Sequence, residues 1–151
     1  MLGCHGNKKV RTMSATPTLA TVTEVHPAPY AQSVNVSGHT FAADEPEHMN
    51  GYNTGPAPYD LLCAALGCCT NMTLRMYATQ KGWPVTHIET VVTHEKITDD
   101  VNLKRDVFTR TIKLNAPELT EEQRQRLLEI ADKCPVSRTL QNTAQITDTL
   151  A

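Results

Sequence analysis

At 151 residues the chain has the size of one domain and is long enough to bury a core without metal or disulfide staples. A net charge of -2, with 40% hydrophobic and 20% charged residues, is ordinary for a globular protein, and between Thr12 and Leu74 there is neither Lys nor Arg, so no basic stripe for nucleic acid forms there. No apolar run approaches the roughly 18 residues of a membrane span.

Residues 1–17 read as a polar, slightly basic, flexible leader (Lys8, Lys9, Arg11), and 18–151 as a single domain. The leader lacks the basic-then-apolar order of a secretory signal. With five cysteines, an odd count, a secreted disulfide framework is not expected, and a cytoplasmic location is.

Leu19, Val22 and Val25 predict a first strand, interrupted by Pro27 and Pro29. Tyr30 to Ser37 and His39 to Ala43 predict two more, with Gly38 between them. Asp44 to Pro58, rich in Pro and Gly, reads as a loop. The clearest helix runs from Tyr59 to Lys81, with Pro58 at its start, Asp60 in its first turn and Gly82 beyond its end. Leu62, Leu66, Cys69, Thr73 and Met76 share one face. The stretch from Leu61 to Cys69 is apolar or small all round, and such a helix is covered on every side. One small sheet covers one side only, so a second subunit is expected on the other. His87 to Ile97 and Asp106 to Leu114 predict paired strands. Thr120 to Cys134 predicts a second helix, with Thr120 and Gln123 as a capping box and Pro135 as its end. Ala144 to Leu150 reads as a closing strand.

Cysteine is the nucleophile with a supporting pattern. Cys69 and Cys134 lie on the inward faces of the two helices, although any single buried thiol is more often structural than reactive. No metal-ligand spacing emerges from the histidines and cysteines. There is no phosphate-cradling glycine loop and no GxSxG turn, so neither a cofactor nor a metal is expected.

The stretch Thr54-Gly55-Pro56-Ala57-Pro58-Tyr59-Asp60-Leu61-Leu62, then Ala64-Ala65-Leu66-Gly67 and Cys69-Thr70-Asn71-Met72-Thr73-Leu74-Arg75-Met76-Tyr77, resembles the central-helix signature of the OsmC/Ohr family. Gly82-Trp83-Pro84 continues it, and Cys134-Pro135-Val136-Ser137 resembles the family's second cysteine motif. The resemblance spans about Thr18 to the C-terminus. It implies an α+β fold with curved antiparallel sheets wrapped around the central helices of an intertwined homodimer. It implies a thiol peroxidase that reduces organic hydroperoxides in oxidative-stress defence, with Cys69 attacking the peroxide and Cys134 resolving the product. The resemblance further implies a dithiol reductant, either a lipoylated protein or a small dithiol, and apolar substrate walls from Leu62, Leu66 and Met72. Cys4, Cys63 and Cys68 match no family role.

In the organic-hydroperoxide branch an N-terminal arginine and an acid near the helix start activate the first thiol. No arginine stands between Arg11 and Arg75 here, and Asp60 is the acid near that position. Arg110, Arg138 and His39 are the candidate substitutes. Arg110 falls among Phe108, Ile112 and Leu114 on one face of its strand, where a charge requires a partner. The competing reading is a weakly active or non-catalytic small-molecule-binding homodimer on the same fold.

Overall fold

The computed structural model describes residues 17–100, 102–142 and 144–150. Apart from Pro17, the expected leader lies outside the described residues, as does Cys4. The chain forms two compact units that meet in sequence at Gly55 and Pro56.

The first unit is an antiparallel meander of β1 (Ala20–Glu24), β2 (Gln32–Val36) and β3 (His39–Ala43), in that order. The three strands predicted for this part of the chain are thus present, and β2 and β3 are joined by a tight turn in which Ser37 and Gly38 both take positive φ. The predicted loop after β3 contains one turn of 3-10 helix, Glu47–Met49. It is organised by a buried carboxylate. Asp44 accepts hydrogen bonds from the amides of Glu45 (2.8 Å), Tyr52 (3.0 Å) and Thr54 (3.3 Å), and from the Thr54 hydroxyl (3.0 Å). Two glycines fit this loop for steric reasons. A Cβ on Gly51 would lie 1.8 Å from the Glu45 carbonyl oxygen, and one on Gly55 would lie 2.1 Å from that of Ala42.

The second unit is built on α1 (Pro58–Lys81). Pro58 sits at the first turn, where a missing N–H costs nothing, and Asp60 accepts the Ala57 amide at 3.0 Å. Gly82, in the left-handed conformation, ends the helix and passes its amide to Thr79. The helix lies against an antiparallel hairpin of β4 (His87–Thr98) and β5 (Lys104–Asn115). Gly67 faces the hairpin at Val92, where a Cβ would make an ordinary contact at 3.4 Å. α2 (Glu121–Ala131) completes the core, in which Leu74, Ala78, Val85, Leu119, Leu127 and Ile130 pack together. The Thr120–Gln123 capping box forms in both directions, at 2.9 and 3.3 Å.

The structure corrects three expectations. The second helix ends at Ala131, not at Cys134, and Pro135 opens a further helix, α3 (Pro135–Gln141), instead of closing the one before. Proline is as suited to a first turn as it is to a stop, and Cys134 supplies the cap. Ala144 to Leu150 forms no strand. Finally, the side of α1 that the chain buries is Leu66, Gly67, Thr70, Leu74 and Ala78. At about 100° per residue this is rotated from the predicted face, and Met76 is 73% exposed. No helix among the described residues is long and apolar enough to cross a membrane.

Candidate active site

The site is assembled where α1, β5, the end of α2 and the start of α3 converge. Arg110 is on the inward face of the hairpin, opposite Val92 in the β4–β5 register and two residues from Phe108 and Ile112. Its side chain is 17% exposed. It donates to the Ala131 carbonyl at 2.8 Å and to the Thr70 hydroxyl oxygen at 3.1 Å, and pairs with Asp132 at 3.4 Å. The partner demanded by a charge on this face is therefore the frayed end of α2, whose last carbonyls lack helical donors.

Thr70 links this arginine to sulfur. Its hydroxyl donates to the Leu66 carbonyl at 2.8 Å, one turn back, and its oxygen lies 3.9 Å from Cys134 Sγ. Cys134 has no exposed surface. Its Sγ accepts the Ser137 amide at 3.3 Å, because Cys134 is the cap residue of α3. Gln141 closes the ring of contacts, donating to Asp132 at 3.0 Å and to the Ser137 hydroxyl at 3.4 Å. A pocket of about 240 Å³ opens beside this network, lined by Leu66, Phe108 and Leu140 together with Asp106, Arg110, Ser137 and Gln141.

Cys69 precedes Thr70 on α1 and is partly exposed. No described residue donates a hydrogen bond to its sulfur. The two cysteine motifs thus meet through Thr70, which is buried against Cys134. Of the candidate cations, Arg110 is built into this meeting point. Arg138 is exposed and lies with Thr139, Asn142 and Ala144 at a separate surface depression. His39 is exposed on β3. Asp60 serves the helix start, and burial together with the Asp60 charge pushes the Cys63 thiol up. Of the three expected substrate walls, Leu66 lines the pocket, whereas Leu62 and Met72 are 40% and 66% exposed on another side of α1.

The family model of OsmC-like proteins matches residues 51–148. The chain belongs to the OsmC-like family. Its fold is that of solved members. An organic hydroperoxide resistance protein, OsmC, from Legionella pneumophila superposes with a TM-score of 0.66 at 13% identity, over 84% of this chain and 90% of that one. An OsmC-like protein from Mycoplasma pneumoniae gives 0.69 at 17% identity, over 85% and 89%. The organic hydroperoxide resistance protein OhrB of Bacillus subtilis gives 0.61 at 18% identity, over 82% and 89%. At these identities the likeness establishes the fold alone. No curated protein matches the sequence at a significant level.

Within this OsmC-like site, Thr70, Ser137 and Asp132 were not singled out from sequence. The available signal was Cys134 followed by Pro135, a cap and first-turn pair that places the amide three residues later, that of Ser137, on the sulfur.

Proposed function

We propose that this OsmC-like chain reduces organic hydroperoxides with a Cys69–Cys134 thiol pair. The observation that carries the reading is the meeting of the two motifs: Thr70, the neighbour of Cys69, reaches 3.9 Å from the buried Cys134 sulfur. The names of solved relatives as hydroperoxide resistance proteins support it. In the cycle, the Cys69 thiolate attacks one peroxide oxygen, the O–O bond breaks, and an alcohol leaves, with Cys69 now a sulfenic acid. Cys134 attacks that sulfur as thiolate and expels hydroxide, which becomes water, giving the disulfide. A dithiol, either a lipoylated protein or a small molecule, then restores both thiols. Arg110 acts on the second step. Through Thr70 it supports negative charge on the Cys134 sulfur, a charge-assisted contact in surroundings shielded from water. Leu66, Phe108 and Leu140 give the adjoining pocket, otherwise lined by Asp106, Arg110, Ser137 and Gln141, one apolar side for the organic part of a peroxide.

The working unit of this proposal is a homodimer in the cytoplasm, where the thiols are kept reduced. Leu62, Ala65, Cys69, Met72 and Met76 recur at alternating three- and four-residue intervals along α1, and all five retain exposure. That is the spacing of a helix–helix seam.

The test is hydroperoxide consumption coupled to a dithiol. Cys69→Ser is expected to abolish turnover, and Cys134→Ser to permit one oxidation and then stall as a sulfenic acid trapped by dimedone. Cys63→Ser and Cys68→Ser are expected to leave the rate near that of the parent; a dead Cys68→Ser variant would overturn the assignment. One observation favours the second reading, a small-molecule-binding homodimer of weak activity: no described residue donates to Cys69 Sγ. Ligand binding without thiol loss would support it.

A further inference from the structure

Cys134 has two parts in this structure. It is the proposed partner of Cys69, and it is the cap residue of α3, with its Sγ on the Ser137 amide at 3.3 Å. The turn that carries it is fastened by one side chain. Gln141, the last residue of α3, donates to the Asp132 carboxylate at 3.0 Å and to the Ser137 hydroxyl at 3.4 Å, and so ties the chain just before the cysteine to the chain just after it. The same Asp132 oxygen receives Arg110 at 3.4 Å. α3 has seven residues, too few for a helix to hold by its own hydrogen bonds, so it depends on this cap, these ties and its packing against α1. Each of these contacts lies within one chain, and none depends on what covers the exposed side of α1.

Formation of a Cys69–Cys134 bond is at odds with this arrangement. Cys134 Sγ rests against the Thr70 hydroxyl at 3.9 Å. Cys69 is the preceding residue of α1, and successive side chains leave a helix about 100° apart. A covalent bond to Cys69 therefore draws the sulfur from the Thr70 side and off the Ser137 amide, whether the Cys134 side chain turns or its segment shifts. Resting on the thiol-pair reading above, we infer that α3 is coupled to the redox state of Cys134, with Gln141 as a positioning residue that favours the dithiol. The Gln141 contacts are made in the dithiol and given up with the cap in the disulfide. A contact present in one form alone displaces the equilibrium toward that form. The disulfide is thereby left easier to reduce, and the reductant that closes each cycle meets a protein already biased toward its thiols.

The test uses the full chain carrying Cys4→Ser, Cys63→Ser and Cys68→Ser, oxidised in parallel with cumene hydroperoxide and with diamide. The protein is equilibrated with mixtures of reduced and oxidised dithiothreitol, so that two electrons and two protons pass between the two thiol pairs. The dithiol fraction is counted by maleimide mass labelling after an acid quench. Gln141→Leu is expected to move the equilibrium about fivefold toward the disulfide, the size of one ordinary hydrogen bond. Asp132→Ala is expected to move it the same way, and the double variant little further than Asp132→Ala alone. An unchanged equilibrium in Gln141→Leu, or one moved toward the dithiol, overturns the inference; full addition of the two shifts overturns the Asp132–Gln141 contact as its cause. Hydrogen exchange at the Ser137 amide is the second readout. It is expected to be faster in the diamide-formed disulfide than in the dithiol. In Cys134→Ser it is expected to stay slow with or without diamide, because serine keeps a cap but forms no disulfide. Equal exchange in dithiol and disulfide, or acceleration by diamide in Cys134→Ser, overturns the coupling. A disulfide obtained with diamide but not with hydroperoxide overturns the peroxidase reading and leaves both readouts in force. No Cys69–Cys134 disulfide with either oxidant overturns the inference itself.

Discussion

Cys134 has no exposed surface, yet a backbone amide and a threonine hydroxyl approach its sulfur, and an arginine stands behind the threonine. In the proposed cycle a charge forming on that sulfur would be met by the Ser137 amide already in place, and by the Thr70 hydroxyl once its one proton turns from the Leu66 carbonyl. Replacing Arg110 with Met keeps the bulk of the side chain and removes the charge. Stopped-flow trapping is expected to show the Cys69 sulfenic acid persisting about tenfold longer in that variant, the loss of roughly one charge-assisted contact. That Arg110 has a partner was legible in the sequence, because a charge on an alternating apolar face demands one; that its partners are Thr70, Ala131 and Asp132 was not. Thr70 and Ser137 were not, because their contact with the sulfur depends on chain segments 64 residues apart in one case and on a helix start concealed by Pro135 in the other. Asp44 yields a pH prediction. Burial raises its pKa, but hydrogen bonds from Thr54, Tyr52 and Glu45 outweigh this and hold the carboxyl below its ordinary range. Its contribution to stability is therefore present above the unfolded carboxylate range and lost as pH falls through the lower folded value, beneath about pH 4. Hydrogen exchange at the Tyr52 and Thr54 amides is expected to accelerate in that window, and Asp44→Asn to remove the pH dependence.

α1 shows how much of an element a sequence pattern conveys. Its ends were legible from Pro58, Asp60 and Gly82, since these residues act through local backbone chemistry. Its facing was less so. An apolar segment with small residues on several sides gives no unique stripe, and the choice is made by partners distant in sequence, such as Val92 against Gly67. The chain's own core takes the Leu66–Thr70–Leu74–Ala78 side. Leu74, with no exposure, is expected to cost about 2–5 kcal/mol on truncation to Ala, measured by denaturant unfolding. Met76→Ala, on the exposed side, is expected to leave the unfolding of the monomer unit nearly unchanged. The segment after β3 makes a comparable case. Its turn residues marked it as a loop, but the need for glycine at 51 appears only when the Glu45 carbonyl is seen 1.8 Å from where a Cβ would stand. Gly51→Ala is expected to destabilise by about 1–3 kcal/mol, with loosened Asp44 contacts visible in the same amide exchange.

At the scale of the whole molecule, the side of α1 that the chain leaves open is the side with the seam spacing, with Met72 and Met76 at 66% and 73% exposure. An apolar stripe of this kind on a central helix is stable in water when covered. We therefore propose assembly as a homodimer through this face; light scattering is expected to give a dimer mass at micromolar concentration, and Met72→Glu with Met76→Glu to shift it toward monomer. Cys69 lies on the seam and Thr70 on the buried side, so one turn of one helix serves both assembly and chemistry in this proposal. The most direct test of the account is a disulfide map of the chain after one equivalent of an organic hydroperoxide. The account predicts the loss of two thiols per chain and a single new cross-link joining the Cys69 and Cys134 peptides. Cys134 recovered as a free thiol while Cys69 is oxidised alone, or a cross-link through Cys63 or Cys68 instead, would contradict it.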